Sequence, residues 1–204
     1  MRYLLVKNKN MTNNKLVAVV GMCGSGKSVL SDALVKEDYE YLRFGQVVLD
    51  EVIKRGVPPT EALEREIREG FRKEYGMGAM AILNIPKFDE LLKKGSVVGD
   101  GLYSWDEYKI LKEKYGANFF TVAVFAPPQT RYERLEKRFY DAADVNLRNR
   151  GFSKEAAAAR DVAEIENIAK GGPIAMADYT ILNIGTIEEY QQQITKFIEW
   201  LSKH

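Results

Sequence analysis

The fold is decided by the stretch Gly21-Met22-Cys23-Gly24-Ser25-Gly26-Lys27-Ser28, which fits the pattern G-x-x-x-x-G-K-[ST] of a phosphate-binding P-loop. Its three glycines let the backbone turn tightly and approach a polyphosphate, so that successive N–H groups form an anion-binding nest. Lys27 can place a positive charge on the β- and γ-phosphates, and the Ser28 hydroxyl can ligate Mg²⁺. The helix that starts near Lys27 adds the positive end of its dipole. The stretch therefore predicts a nucleoside triphosphate site.

The residues on either side provide the setting that a P-loop requires. Residues 15–20 (KLVAVV) form a short apolar run, which is typical of a buried parallel strand. Residues 28–36 (SVLSDALVK) place their apolar side chains at helical spacing. The alternative is an ordinary Gly-rich turn between a strand and a helix, but that reading leaves Lys27 at the helix start unexplained.

Composition indicates one globular α/β domain. The chain has 204 residues, and 46% of them are hydrophobic, which is enough for a sizeable core. Thirty basic and 29 acidic residues leave a net charge of +1, so there is no general reason to expect a nucleic-acid or membrane partner. The single cysteine, Cys23, excludes an internal disulfide and favours a reducing, cytoplasmic location. We expect residues 1–14 to be an N-terminal extension and residues 15–204 to be the domain.

Apolar segments alternate with helical segments along the whole chain. We predict strands at 15–20, 39–44, 96–101, 118–126 and 177–184. We predict helices at 28–36, 46–55, 60–75, 79–94 with a kink or break at Pro86, 105–115, 129–140, 154–170 and 187–202. This alternation favours a parallel sheet with helices on both faces, a three-layer α/β/α arrangement. Ligands of such sheets bind at the carboxyl ends of the strands.

Asp100 ends one of the predicted strands. In P-loop proteins an acid at this place can hold Mg²⁺ directly or through water. Gly99 and Gly101 flank Asp100, and we expect them to keep the space beside its carboxylate open. The alternative is an aspartate that only caps the next helix or a turn.

Arginines form the second group of candidates. Arg131, Arg134 and Arg138 lie at i, i+3 and i+7, which is one face of a helix. Guanidinium groups match the charge distribution of a phosphoryl-transfer transition state. Arg148, Arg150 and Arg160 follow in the sequence, and we expect Arg138 and Arg160 to contact phosphate in preference to the others. The alternative is a solvated face whose arginines pair with the neighbouring acids.

These motifs resemble the nucleoside-monophosphate-kinase type of P-loop protein. The likeness is greatest to the archaeal-type family described as adenylate-kinase-related or dephospho-CoA-kinase-like, and it covers about residues 15–202. It rests on GMCGSGKS at 21–28, GDG at 99–101, TRYERLEKR at 130–138, ARD at 159–161 and ADYTILNIGTIEEY at 177–190.

The resemblance implies a P-loop NTPase fold with strand order 2-3-1-4-5. It also implies an acceptor-binding region at about 45–90, a mobile lid at about 138–155, and lid-type roles for Arg138 and Arg160. Gly185 and Thr186 would lie by the adenine. ATP and Mg²⁺ are the implied cofactors.

Two departures from the family concern the acceptor. Adenylate kinases carry Asp-Gly-Phe-Pro-Arg after the third strand, whereas this chain has DGLYS at 100–104, so the acceptor-binding arginine is missing. Kinases of hydroxyl groups usually carry a carboxylate base after the second strand, whereas this chain has FGQ at 44–46. Asp50 or Asp100 would have to replace that base. The missing base favours a phosphate acceptor, which needs none.

The leading hypothesis is a kinase that transfers the γ-phosphoryl group of ATP to a small acceptor, with a nucleotide favoured. Predicted catalytic residues are Lys27, Asp100, Arg138 and Arg160, and predicted metal ligands are Ser28 and Asp100. Predicted nucleotide-binding residues are Gly21, Met22, Cys23, Gly24, Ser25, Gly26, Lys27, Ser28, Val29 and Gly185. The alternatives are a dephospho-CoA-kinase-like hydroxyl kinase, and an ATPase switch that acts through a protein partner. The balanced net charge disfavours a nucleic-acid kinase.

Overall fold

The computed structural model describes residues 13–139 and 151–204. Most of the predicted N-terminal extension, residues 1–14, and most of the predicted lid, residues 138–155, lie outside the described residues. Arg148 and Arg150 lie outside them as well.

The strands of the described residues form one parallel sheet. They are β1 (Leu16–Val20), β2 (Glu40–Arg43), β3 (Val97–Asp100), β4 (Phe119–Phe125) and β5 (Tyr179–Leu182). Their order is β2-β3-β1-β4-β5, which confirms the predicted order and fold class. β1 is the central strand, and its residue Val19 is paired with Asp100 of β3 and Val122 of β4. All the carboxyl ends meet at one edge of the sheet, which is the ligand-binding edge in folds of this kind.

The helices connect the strands and cover both faces of the sheet. They are α1 (Lys27–Lys36), α2 (Gln46–Lys54), α3 (Glu61–Tyr75), α4 (Ala79–Leu91), α5 (Trp105–Tyr115), α6 (Pro128–Phe139), α7 (Lys154–Ile168), α8 (Gly171–Ala175) and α9 (Ile187–Leu201). Within 13–139 and 151–204, none of them combines the length and the apolar character needed to cross a membrane.

The central strand divides the core into two parts. All five residues of β1 are buried, and successive side chains point to opposite faces of the sheet. Leu16, Ala18 and Val20 belong to a cluster with residues of α2, α3, α4 and α5. Val17 and Val19 belong to a second cluster with residues of α1 and α9. The continuous apolar run in the sequence is therefore explained by helices on both faces.

Two helical segments differ from the prediction. α4 continues from Ala79 to Leu91 with Pro86 in its interior, so the predicted break does not occur. The buried side chains of this helix, including Met80 and Phe88, supply the packing that overrides the local effect of proline. The predicted helix at 154–170 ends at Ile168, and the short helix α8 follows it.

Gly99 does not keep the space beside Asp100 open, so that expectation was wrong. A Cβ built on Gly99 would lie 2.9 Å from Phe44 Cε2 and 3.4 Å from Phe88 Cζ. Both rings are fully buried, and their centroids are 5.4 Å apart. The glycine is required because this aromatic pair packs directly on the backbone of β3.

We predict that Gly99→Ala destabilises the protein by about 1–3 kcal/mol, because the added methyl group overpacks the core. Gly70→Ala is the matched control: no atom lies within 4 Å of a Cβ at this position, which is inside α3. Alanine is the better helix former, so we expect Gly70→Ala to raise stability by roughly 0.5–1 kcal/mol. Urea unfolding measures both changes, and equal stability of the two variants would contradict the packing argument.

Candidate functional site

A pocket lies at the carboxyl ends of β1 and β3, and we call it the P-loop pocket. Gly24 and Gly26 of the loop line it, and Asp100 lines it from the end of β3. Because Asp100 is paired with Val19 near the end of β1, its carboxylate reaches the loop that follows β1. The pocket brings together these predicted site residues: Cys23, Gly24, Gly26, Lys27, Ser28, Asp100, Arg138 and Arg160.

Two glycines of the loop have no room for a side chain. Gly24 has φ 78° and Gly26 has φ 106°, which are left-handed conformations that favour glycine. A Cβ on Gly24 would lie 2.8 Å from the carbonyl oxygen of Arg131, and one on Gly26 would overlap the side-chain nitrogen of Asn183. The loop therefore needs glycine both for its backbone angles and for close packing against α6 and the end of β5.

The outward carbonyl groups of the loop accept hydrogen bonds from other elements. The donors come from α6, from the residue after β5 and from α9. Arg131 Nη1 donates to the carbonyl of Cys23 (3.1 Å), Asn183 Nδ2 to that of Ser25 (2.7 Å), and the Tyr190 hydroxyl to that of Gly26 (2.9 Å). With its carbonyl groups held outward, the loop is free to present N–H groups to an anion.

Lys27 lies inside the loop. Its Nζ donates to the carbonyl oxygens of Gly21 and Met22, at 3.0 Å each. Burial, and after it the positive charge of Lys170, lowers the pKa of Lys27 from 10.5 to about 8. A bound polyphosphate would act in the opposite direction and favour the ammonium form.

Asp100 is nearly buried, with 8% of its surface exposed. The Tyr41 hydroxyl donates to Asp100 Oδ2 at 2.9 Å, which orients the carboxylate. Its negative charge also acts to raise the pKa of Lys27. The Ser28 hydroxyl and the Asp100 carboxylate line one pocket, and oxygen atoms of these two kinds fit Mg²⁺.

The side of the pocket formed by α6 and α7 carries two predicted arginines. Arg138 lies near the end of α6, and Arg160 lies in α7. Arg160 Nε is 3.0 Å from Glu164 Oε1, and its guanidinium carbon lies 5.2 Å from the centroid of the Phe152 ring. Burial acts to lower the pKa of Arg160, but the charge of Glu164, smaller contributions from Cys23 and Tyr103, and the hydrogen bond to Glu164 together raise this pKa above its ordinary value.

Lys170 also lines the pocket, and the sequence analysis missed it. Its Nζ lies 2.6 Å from Glu164 Oε2 and 4.9 Å from the centroid of the Tyr103 ring. Only 2% of Lys170 is exposed. Glu164 therefore uses one oxygen for Arg160 and the other for Lys170, and these charges outweigh its burial and lower its pKa.

The side of the pocket formed by β2 and α3 carries mixed charges. Arg43 ends β2, and Glu61, Glu64 and Arg68 lie on α3. Arg68 Nη2 lies 2.8 Å from Glu61 Oε1, and Arg68 Nη1 lies 3.6 Å from Glu64 Oε2. Tyr103 also lines the pocket. Such a surface can bind a molecule that carries both an anionic group and hydrogen-bond donors.

Several predicted residues do not line the P-loop pocket. Gly185 is exposed, and Val29 packs against the core cluster beneath α1 and α9. Asp50, which we considered as a base, pairs with the Lys87 ammonium group and accepts a hydrogen bond of 2.8 Å from Gln46 Nε2. The geometry therefore leaves Asp100, and not Asp50, as the candidate base.

Arg131 shares a predicted helical face with Arg138, but it has a structural role and does not line the pocket. It is 4% exposed, and its Nη1 and Nη2 lie 3.0 and 2.5 Å from the two carboxylate oxygens of Asp161. Its Nε donates to the Ala126 carbonyl at 3.0 Å, and the Tyr132 hydroxyl donates to Asp161 at 2.9 Å. This pair joins α6 to α7, and the contact with Cys23 joins both helices to the P-loop.

Sequence reasoning missed Asn183, Tyr190, Glu164 and Lys170. Asn183 and Tyr190 lie within the stretch 177–190, whose resemblance was noted, but the motif does not show that their side chains hold the loop. Nothing in the local sequence indicated that Glu164 and Lys170 belong to the site, because charged residues in a predicted helix are most simply explained as exposed to solvent.

We predict that Arg131→Met lowers the free energy of unfolding by about 3–5 kcal/mol, because it leaves the buried Asp161 carboxylate without its partner. Asp161→Asn is the second variant, and the double variant removes both charges. We expect the double variant to lose less stability than the sum of the single losses, as urea unfolding would show. Additive losses would mean that the pair is not coupled.

The protein has relatives along most of its length. A family described as AAA domain matches residues 17–161. A UPF0200 protein from Thermococcus kodakarensis is 34% identical over 186 residues, which are 90% of this chain and 96% of the relative. A UPF0200 protein from Sulfurisphaera tokodaii is 35% identical over 189 residues, which are 91% of this chain and 96% of the relative.

Solved structures share the fold at low sequence identity. A putative kinase from Chloroflexus aurantiacus has a TM-score of 0.60 and 17% identity, and the likeness covers 96% of this chain and 97% of that one. A shikimate kinase from Bacteroides thetaiotaomicron has a TM-score of 0.57 and 14% identity, and the likeness covers 92% of this chain and 98% of that kinase. A dephospho-CoA kinase from Campylobacter jejuni has a TM-score of 0.53 and 13% identity, and the likeness covers 95% of this chain and 100% of that kinase.

These likenesses confirm a P-loop kinase-like fold and the resemblance drawn from the motifs. The glycine-dependent loop, with Lys27 inside it and its carbonyl groups held outward, is the part of this fold that suits a nucleotide phosphate. These matches show that the chain belongs to the AAA domain family, by the match of residues 17–161, and to the UPF0200 proteins, by identity over 90% of its length.

Proposed function

We propose that this protein is a kinase that transfers the γ-phosphoryl group of ATP to a small acceptor. One observation carries the proposal: a single pocket joins the P-loop and Lys27 to Asp100 on one side and to Arg138 and Arg160 on another. Phosphoryl transfer requires positioning and charge neutralisation more than covalent chemistry by the protein. This pocket has groups for both tasks.

The donor half of the site would be built on the P-loop. Backbone N–H groups of the loop would bind the phosphates, and Lys27 would neutralise charge that develops on the transferred group. Ser28 and Asp100 would hold Mg²⁺, which supplies further charge neutralisation when it is bound. Gly185 and Thr186 follow Asn183, a residue that contacts the loop, and this supports an adenine position beside them.

Arg138 and Arg160 would contact the transferred phosphoryl group from the lid region, about residues 138–155 and α7. Arg160 is already held by Glu164 and by the Phe152 ring, so little ordering is needed when substrate binds. Closure over the site would exclude water and protect ATP from hydrolysis.

The acceptor would lie against the region 45–90, from which Glu61, Glu64 and Arg68 reach the pocket. A nucleotide fits this surface: Arg43 can bind its phosphate, and the carboxylates can accept hydrogen bonds from its base or sugar. The acceptor phosphate oxygen would attack the γ-phosphorus, the bond from that phosphorus to the ADP oxygen would break, and no proton would need to move.

A hydroxyl acceptor is the second candidate, and the position of Asp100 favours it. A hydroxyl group must lose its proton as the new phosphorus–oxygen bond forms, and Asp100 is a carboxylate in the pocket that can take this proton. Glu61 and Glu64 also make the acceptor side less favourable for a phosphate dianion. Dephospho-CoA kinase, whose structure is similar, is named for an acceptor of this kind.

We predict that the purified protein releases ADP from Mg-ATP only when a suitable acceptor is present, because transfer needs both halves of the pocket. The assay follows ADP with nucleoside monophosphates, nucleosides and dephospho-CoA in turn. Lys27→Ala should lower turnover by about 10²–10³-fold, since it removes a group that neutralises the transition state. Slow ADP release that is independent of every acceptor would point instead to an ATPase switch, and an unaffected Lys27→Ala protein would refute the mechanism.

We predict that Asp100→Asn distinguishes the two acceptor classes. For a hydroxyl acceptor, loss of the base should lower kcat by about 10²–10⁴-fold at saturating Mg²⁺. For a phosphate acceptor, raised Mg²⁺ should restore most of the activity, because only metal binding is weakened. Asp50→Asn is the matched control, since its carboxylate lies outside the pocket, and it should keep wild-type kcat. A large loss in Asp50→Asn alone would overturn the assignment of Asp100.

A further inference from the structure

Lys170 is the most deeply buried cation among the described residues that line the P-loop pocket. It is 2% exposed, whereas Lys27, Arg138 and Arg160 are only partly buried. An ammonium group at such a site loses much of its hydration, which the Glu164 carboxylate has to offset. Apolar residues of similar volume often replace a buried ion pair without loss of stability, so stability alone does not explain this lysine.

The backbone around Lys170 fixes the direction of its side chain. Ala169 is in the left-handed conformation, with φ 50°, and ends α7. The Lys170 N–H donates to the Glu164 carbonyl at 3.2 Å. Gly172 then packs against the Trp105 ring, from which a Cβ would be only 2.9 Å away. The ammonium group is thus positioned by α7 and α5 before any ligand binds, which lowers the entropic cost of using it.

Lys170 and Lys27 belong to different elements, and their charges act on each other within one pocket. Both side chains line the pocket, as does that of Arg160. The single negative charge of Glu164 is shared between the positive charges of Lys170 and Arg160, since its carboxylate accepts a hydrogen bond from each. A polyanion in the pocket would remove the repulsion between the two ammonium groups, so the arrangement is built for a ligand of high negative charge.

We propose that Lys170 binds the terminal phosphoryl group of the nucleoside triphosphate, and that Glu164 holds its ammonium group in position beforehand. The proposal rests on the function proposed above and adds to it a residue that distinguishes triphosphate from diphosphate. Lys27 would contact the β- and γ-phosphates from within the loop, whereas Lys170 reaches the pocket from the turn between α7 and α8.

Nucleotide binding without any acceptor tests this assignment separately from turnover. The affinities of ADP and of a non-hydrolysable ATP analogue are measured by calorimetry, both with Mg²⁺. Lys170→Met keeps most of the length of the side chain and removes the charge. We expect it to weaken binding of the ATP analogue at least about tenfold and that of ADP less than about threefold, because only the analogue carries the terminal group.

Lys114→Met is the matched control. Lys114 is also partly buried, pairs with Asp89 at 3.1 Å and lies 5.9 Å from the Tyr115 ring centroid, but it does not line the pocket. The Lys114→Met variant should leave the affinities for ADP and for the ATP analogue unchanged. Equal weakening of ADP and the ATP analogue by Lys170→Met, or no weakening of either, would overturn the role of Lys170. A wild-type protein that binds neither nucleotide would overturn the proposed function itself.

A double variant separates ligand binding from simple neutralisation of Glu164. If Lys170 only neutralises Glu164, removing both charges in Lys170→Met/Glu164→Gln should restore the affinity for the ATP analogue. If Lys170 binds the terminal phosphoryl group, the double variant should remain as weak as Lys170→Met, and Glu164→Gln alone should bind the analogue at least as tightly as wild type. Thermal unfolding of each variant shows that the comparison is made between folded proteins.

Discussion

The structure depends on the outward carbonyl groups of the P-loop and on the donors that satisfy them. A loop that turns its N–H groups toward an anion turns its carbonyl groups toward the protein, where each needs a donor. Arg131, Asn183 and Tyr190 supply these donors. All three come from the second half of the sequence, so the loop has its outward carbonyl groups satisfied only when α6, the end of β5 and α9 have docked on it.

The helix α6, which holds the loop through Arg131, and the adjoining helix α7 also carry arginines that line the pocket. α6 brings Arg138 and α7 brings Arg160 to the pocket, while the buried pair of Arg131 and Asp161 joins these two helices. A shift of either helix would disturb the arginines that line the pocket and the backbone of the loop together. This coupling explains why a buried ion pair lies beside the site, where it fixes geometry more than it adds stability.

Among the described residues, more cations than carboxylates line the pocket. The cations are Lys27, Arg43, Arg68, Arg138, Arg160 and Lys170, and the carboxylates are Glu61, Glu64, Asp100 and Glu164. The depressed pKa of Lys27 reflects this crowding as well as burial. The proposed polyphosphate ligand would relieve the repulsion between these cations.

The amino-acid sequence was enough to predict the fold class, the P-loop and, through a family resemblance, the sheet order, because these follow from local patterns: apolar runs, glycines and Lys27 at a helix start. The expectation for Gly99 was wrong, since a glycine does not show which side of a strand is crowded. The buried position of Arg131 could not be predicted, because helical spacing shows which residues share a face but not what that face contacts. Asn183, Tyr190, Glu164 and Lys170 join the site only through tertiary structure. Their roles depend on distances between elements far apart in the chain, and only the packing of helices on both faces of the sheet sets those distances.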